Sequence, residues 1–365
     1  MVIFASPARA LEAPSSRQAA AKVGEPHLIH RIADICCTRR RFDLRQFYAE
    51  ERRAPHALLE LEAWTRQRAD ADDPRAQFAL CENAYWGPDG GRPPDDYRVA
   101  AEWCAKAAQH GFLPAQLRLG QMYYDGAGVP KDDREGLIWI SRAAEGGDPD
   151  AQFSLATIFK DGIGVESDDA RSLTWMRRAV QGENPNARVG LAYRFAVGYG
   201  VQRDEAEAAR LLCSGWRTEE ECEQHATATI AAAQFDRAQT LEAGDGFQQR
   251  EDANAAFALF ARSAELGDVR SQLRLARAYA TGNLIAEDQN KATAWLRAAA
   301  AQGSDEAQTA LGQRYEEGQS VKRDPHEAAI WYGLAANRGD PEAKLRLRRL
   351  SSESPNTSDS QGSFH

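Results

Sequence analysis

The stretch LGQMYYDGAGVPKDDREGLIWISRAAEGGDPDAQ, Leu119–Gln152, decides the fold. Its GxGV invites two readings, a phosphate cradle or a turn. A phosphate loop needs a strand before it and a Gly-Lys-Ser/Thr after it; neither is present. Instead Ala115, Leu119 and Tyr123 fall at i, i+4 and i+8, one face of a helix. Gly126 supplies a left-handed C-cap, and Gly128 loosens the turn. Asp132 or Asp133 caps a second helix, whose apolar face holds Leu137, Ile138, Trp139, Ile140 and Ala143-Ala144. Gly146-Gly147 closes that helix. Asp148-Pro149 starts the next, with Asp as N-cap and Pro at the first helical position.

The unit recurs. Aligned on a Gln that follows a small residue, the copies fall at Gln77, Gln116, Gln152, Gln234, Gln272 and Gln308, with Arg188 and Lys344 in the same slot of weaker copies. The step is 36 residues from Gln116 through Gln152 to Arg188, and again from Gln272 through Gln308 to Lys344. The step from Gln77 is 39, and that from Arg188 to Gln234 is 46, so those copies carry insertions of three and ten. A large residue follows the slot by 23 places at Trp139, Trp175, Leu211, Trp295 and Trp331. Gly120 and Gly312 sit inside helices, where glycine costs about 1 kcal/mol against alanine. Their recurrence predicts close approach by another helix. A period in this range marks a repeat architecture.

The pattern A-Q-x-x-L-G-x-x-Y-x-x-G-x-G-V, followed by D-x-x-x-A-x-x-W-x-x-x-A-A-x-x-G, closely resembles the Sel1-like repeat family, relatives of the tetratricopeptide repeats. AQTALGQRYEEGQSV and DPHEAAIWYGLAANRG, between Ser304 and Gly339, show nearly all of it. The resemblance implies an all-α, right-handed αα-solenoid of about seven helix-turn-helix repeats with helical caps. The expected organisation is a signal remnant or unstructured N-terminus over 1–24, a helical cap or decayed repeat over 25–72, and repeats over 73–339. A capping helix over 340–350 and a polar tail over 351–365 follow. Trp64 is the candidate Trp of the decayed repeat. The copies between Asn184 and Gly267 are degenerate.

The formal net charge of -9 argues against a nucleic-acid partner, and no apolar run reaches the ~18 residues of a membrane helix. MVIFASPARA reads either as the tail of a secretory signal with an A-x-A cleavage pattern or as a plain N-terminal segment. The first reading predicts a periplasmic protein. Of six cysteines, Cys81 and Cys104 fall on the two helices of one repeat, and Cys213 and Cys222 bracket the ten-residue insertion. Both pairs are candidate disulfides, and free buried thiols are the alternative.

Nothing in the sequence calls for an enzyme, a cofactor or a metal. HEAAI at His326 ends in Ile330, so the zinc-protease pattern fails, and His27, His30, Cys36 and Cys37 match no zinc spacing. The repeated acidic pairs, Asp132-Asp133 and Asp168-Asp169, suit helix N-termini.

Similarity to tetratricopeptide proteins implies that the first helix of each pair lines a groove. Its exposed positions lie two before and one, five, eight and nine after the slot. They give Phe78, Glu82, Tyr85 and Trp86; Leu117, Gln121, Tyr124 and Asp125; Phe153, Thr157, Lys160 and Asp161; then Val189 and Tyr193. The last copies give Arg270, Arg277, Gln313, Glu316 and Glu317. Phe78, Leu117, Phe153, Val189 and Leu273 form a column that suits inter-repeat core as well as groove. The expected partner is a protein, because Tyr and Trp anchor interfaces. Exported Sel1-like proteins include immunity proteins that neutralise lipase toxins delivered by type VI secretion. The chain resembles that group in size, export pattern and repeat content, which implies a secreted lipase or phospholipase D-type effector as partner. The alternative is an envelope scaffold or a regulator, for polysaccharide export or a sensor kinase.

Overall fold

The computed structural model describes residues 55–86, 97–214, 218–243, 250–282 and 285–353. The expectations for 1–24, for 25–54 and for His27, His30, Cys36 and Cys37 lie outside them. The described residues form sixteen α-helices and no strand. The chain divides into two compact units, Met1–Asn184 and Pro185–His365.

In the first unit the helices are α1 (Pro55–Asp70), α2 (Pro74–Trp86), α3 (Arg98–Gln109), α4 (Leu113–Asp125), α5 (Asp133–Glu145), α6 (Pro149–Asp161) and α7 (Asp169–Gln181). Each packs on its neighbours in the chain. The alternation of caps drives this zigzag. Asp132 accepts from the backbone N–H groups of Arg134 and Glu135, and Asp148 from those of Asp150 and Ala151. Such a cap is worth about 1 kcal/mol. Gly126 ends α4 in the left-handed region, φ 69°. Gly128 does more than loosen the turn: a Cβ there would fall on the Tyr97 carbonyl at the start of α3. The second glycine of GxGV thus lets the turn lie against the preceding repeat.

The slot Gln owes its recurrence to a buried hydrogen bond. Gln77, Gln116 and Gln152 are each at most 8% exposed, and each donates Nε2 at 3.1 Å to the carbonyl eight residues upstream, on Ala69, Ala108 and Ala144. That carbonyl lies near the end of the preceding helix, where intrahelical donors run out. The Gln77 bond reaches α1, and Trp64 lies thirteen residues before Gln77, as Trp103 does before Gln116. So α1 stands to α2 as α3 stands to α4. Buried Ala107-Ala108 and Ala143-Ala144 keep successive helices close. At Gly120 a Cβ would lie 2.6 Å from Ile140 Cγ1 and 2.8 Å from the Gly136 carbonyl, the helix approach expected from its position. Cys81 and Cys104 form a disulfide between α2 and α3, Cα atoms 5.1 Å apart, within the core that holds Ala100, Leu119 and Met122.

The second unit holds α8 (Pro185–Val197), α9 (Glu205–Cys213), α10 (Glu219–Ala243), α11 (Arg250–Glu265), α12 (Val269–Thr281), α13 (Gln289–Ala301), α14 (Asp305–Glu317), α15 (Pro325–Asn337) and α16 (Pro341–Glu353). Gln272 and Gln308 repeat the slot bond, to Ala264 and Ala300 at 3.1 Å. The ten-residue insertion lengthens α10 to 25 residues, and Cys222 on its first turns is disulfide-bonded to Cys213 at the end of α9. Gln234 therefore finds a different acceptor, Ala196 on α8 at 3.0 Å, and also Glu205 at 2.8 Å. Hydrogen bonds from Arg262, against the opposing effect of burial, hold the Glu205 carboxyl below its ordinary range. At the C-terminal end α16 runs to Glu353, three residues past the expected cap. The Ser351 and Ser352 hydroxyls bond back to the carbonyls of Leu347 and Arg349.

Candidate partner-binding surface

Of the expected groove residues of the first copy, Glu82, Tyr85 and Trp86 come together in the last turns of α2. Arg118 on α4, two places after its slot, joins them. Its Nε donates to Glu82 Oε1 at 2.7 Å, its Nη2 to Glu82 Oε2 at 3.2 Å and its Nη1 to Gln121 Oε1 at 2.9 Å. The guanidinium carbon lies 4.8 Å from the Tyr85 ring centroid and 5.5 Å from that of Trp86. Tyr85 meets Trp86 edge-on at 5.1 Å and Tyr97 at 5.1 Å, and Trp86 donates Nε1 to Glu82 at 3.3 Å. Burial raises the Tyr85 phenol above its ordinary value, with Arg118 opposing. The cluster is an aromatic platform around a closed ion pair, with Trp86 36% exposed. Arg118 was missed in the sequence because its register lies outside the groove positions; Glu82, 36 residues earlier, was the available signal.

Beside it α4, α5 and α6 enclose a cleft of about 300 Å³, lined by Gln121, Tyr124, Asp125, Ile140, Phe153 and Ile158 among others. Tyr124 is half-buried, its ring against Gly136. Burial first, and the Asp133 charge second, push its phenol up to about 12. Asp125 is exposed on the rim. Lys160 and Asp161 are exposed too and pair with each other at 3.1 Å. Thr157 lines the cleft, its hydroxyl bonded to the Phe153 carbonyl at 3.1 Å.

The expected column is mixed. Phe78 packs on Phe112, centroids 5.3 Å apart, and Leu117 and Leu273 are partly buried in core clusters. Val189 departs from it at 55% exposed. In the second unit Tyr193 stands 38% exposed on α8, its phenol raised by burial with Arg237 opposing. Glu316 corrects the sequence reading. It is 7% exposed and takes hydrogen bonds from Tyr332 at 2.7 Å, Arg346 at 3.1 Å and Arg349, so it ties α14 to α15 and α16 and faces no groove. Arg277 and Glu306 pair at 3.2 Å on the surface, and Gln313 donates to Glu342 at 2.8 Å.

Among the described residues no group of three His, Cys, Asp or Glu side chains is placed to hold a metal ion, and no helix is long and apolar enough to cross a membrane. The Sel1 repeat family model matches residues 74–112, 113–148, 149–184, 185–214, 231–268, 269–304 and 305–340. The chain belongs to the Sel1 repeat family. As such it is a protein-binding scaffold, of a family whose members are typically non-catalytic. Among curated proteins no match is found. Among solved structures, a Sel1 repeat protein from Oxalobacter formigenes is 25% identical, with 92% of this chain and 89% of that one covered and a TM-score of 0.38. A protective antigen of uropathogenic Escherichia coli is 24% identical over 93% of this chain and 75% of its own, TM-score 0.32. The immunity protein Pa5087 of Pseudomonas aeruginosa is 16% identical over 79% and 88%, TM-score 0.26.

Proposed function

We propose that this Sel1 repeat scaffold is a non-catalytic periplasmic immunity protein. It binds a secreted lipase or phospholipase D-type effector and covers its active site. The observation that carries the binding surface is the platform of Tyr85, Trp86 and Arg118, because these three residue types dominate interface hot spots. With Glu82 and Gln121 already engaged by Arg118, the platform offers aromatic area at little desolvation cost. Tyr124, Asp125, Lys160 and Asp161 extend the surface along α4 and α6 of the first unit; Tyr193, exposed on α8, is proposed as a separate contact of the second unit. Two disulfides support export, since such bonds persist in oxidising compartments. The net charge of -9 favours encounter with a basic, phospholipid-binding mouth.

The test is neutralisation. The effector that co-purifies with the chain is assayed for hydrolysis alone, with the chain, and with a Tyr85→Ala/Trp86→Ala/Tyr124→Ala variant. Stoichiometric inhibition by the native chain and its loss in the variant support the reading. Full inhibition by the variant removes these residues from the interface, and a co-purifying set of envelope or signalling proteins replaces the immunity role with a scaffold.

A further inference from the structure

The cleft in the first unit has a counterpart at the same register in the second. That counterpart, about 290 Å³, is lined by Arg277, Ala280, Leu296, Gln313 and Glu317 among others. Gln121 and Arg277 each lie five places after a slot Gln, Tyr124 and Ala280 eight places, and Ile140 and Leu296 match on the second helix. The cleft is therefore built by the repeat, and its side chains set what fits.

In the second unit the cleft's charges are engaged internally. Arg277 pairs with Glu306 at 3.2 Å. Arg314, 7% exposed, donates to Thr293 at 2.9 Å and to Gln289 at 3.0 Å. In the first unit the floor is Tyr124, Ile140, Phe153 and Ile158, and the rim carries the carboxylate of Asp125. Among the described residues no cationic side chain pairs with Asp125. Asp161, in the same place one repeat later, has Lys160 at 3.1 Å. Arg118, the basic residue of the neighbouring platform, is held by Glu82 and Gln121. Asp125 is moreover the last residue of α4, where a carboxylate opposes the helix dipole.

We infer that the first-unit cleft receives one lysine or arginine side chain of a protein partner, its aliphatic stem against Tyr124, Phe153 and Ile158 and its cation at Asp125. Long basic side chains lay their stems on apolar surface and keep the charge at the rim. An aromatic wall adds attraction for the cation. The inference rests on this face being the binding surface proposed above, and is indifferent to whether the partner is a toxin.

The probe is a phage-displayed library of random dodecapeptides, selected on the full disulfide-bonded chain, with enriched peptides resynthesised for Kd measurement. The expected result is a recurrent single Lys or Arg. Affinity should fall at least tenfold in Asp125→Asn and change less than twofold in Glu145→Gln, an exposed carboxylate outside the cleft. An Asp125→Arg chain should select acidic peptides instead. Enrichment of acidic or wholly apolar peptides, no enrichment, or basic peptides indifferent to Asp125→Asn would overturn the assignment. Neutralisation of the purified effector is a separate readout, so either reading can fail alone.

Discussion

The same substitution, glycine to alanine, should have opposite signs at two helical positions. Both Gly120 in α4 and Gly333 in α15 lie inside helices, where alanine is favoured by about 1 kcal/mol. At Gly333 an added Cβ meets nothing within 4 Å, so that gain survives whole. At Gly120 the Cβ would sit 2.6 Å from Ile140 Cγ1 and 2.8 Å from the Gly136 carbonyl. Ile140 can change rotamer, but the carbonyl belongs to α5 and can move only if α4 and α5 separate. Overpacking of this kind costs roughly 1–3 kcal/mol. Backbone contact puts Gly120 at the upper end, for a net loss of about 1–2 kcal/mol after the propensity gain. At Gly312 the three atoms nearest an added Cβ all belong to the Tyr332 ring, at 2.7 to 3.0 Å, with no backbone among them, and Gly312→Ala should fall between the two. Native-state hydrogen exchange read by mass spectrometry reports α4–α5 and α14–α15 separately. Protection should fall for Gly120→Ala and rise for Gly333→Ala. A Gly120→Ala protein as protected as the parent would refute the claim that repeat packing at this glycine is limited by backbone contact.

Three further outcomes follow from the fold. Replacing Cys81 and Cys104 with alanine should cost about 3.4 kcal/mol, and replacing Cys213 and Cys222 about 2.6 kcal/mol, from closure of 23- and 9-residue loops; guanidinium melts of the two double variants check the order. Gln116→Leu removes one of two donors from the Ala108 carbonyl, which keeps the Gly111 N–H at 3.1 Å, and should cost about 0.5–1.5 kcal/mol, read by the same melts. Burial pushes the Glu316 carboxyl up, but hydrogen bonds from Tyr332, Arg346 and Arg349 outweigh it and hold the pKa below the ordinary value. A depressed acid stabilises above its unfolded value, and that stability is lost as pH falls through the folded value. Glu316→Gln should therefore flatten the acid limb of a stability–pH curve and leave it parallel to the parent near neutral pH.

The repeat was legible because turn and cap chemistry is local: Gly126, Asp132, Asp148-Pro149 and the recurring Trp each act within a few residues of where they stand. The slot Gln was legible as a marker and opaque as a cause, since its acceptor is the end of another helix. Cys213 at the end of α9 and Cys222 on the first turns of α10 face each other, and the ten-residue insertion lengthens α10, a choice that periodicity leaves open. At the candidate site, register placed Glu82, Tyr85, Trp86, Tyr124 and Asp125 on neighbouring first helices. It missed Arg118, whose partners lie on α2 as well as on α4. It misplaced Glu316, because the hydroxyl and guanidinium groups that bury it come from two later helices. Register says which way a helical residue points and not whether another element covers it.

The proposed immunity role requires one secreted hydrolase held through the first unit. Native mass spectrometry of the tagged chain, purified from the envelope fraction, measures it most directly. One stoichiometric hydrolase is expected, absent from the Tyr85→Ala/Trp86→Ala/Tyr124→Ala preparation. Several envelope or signalling proteins, or a hydrolase retained by that variant, would contradict it.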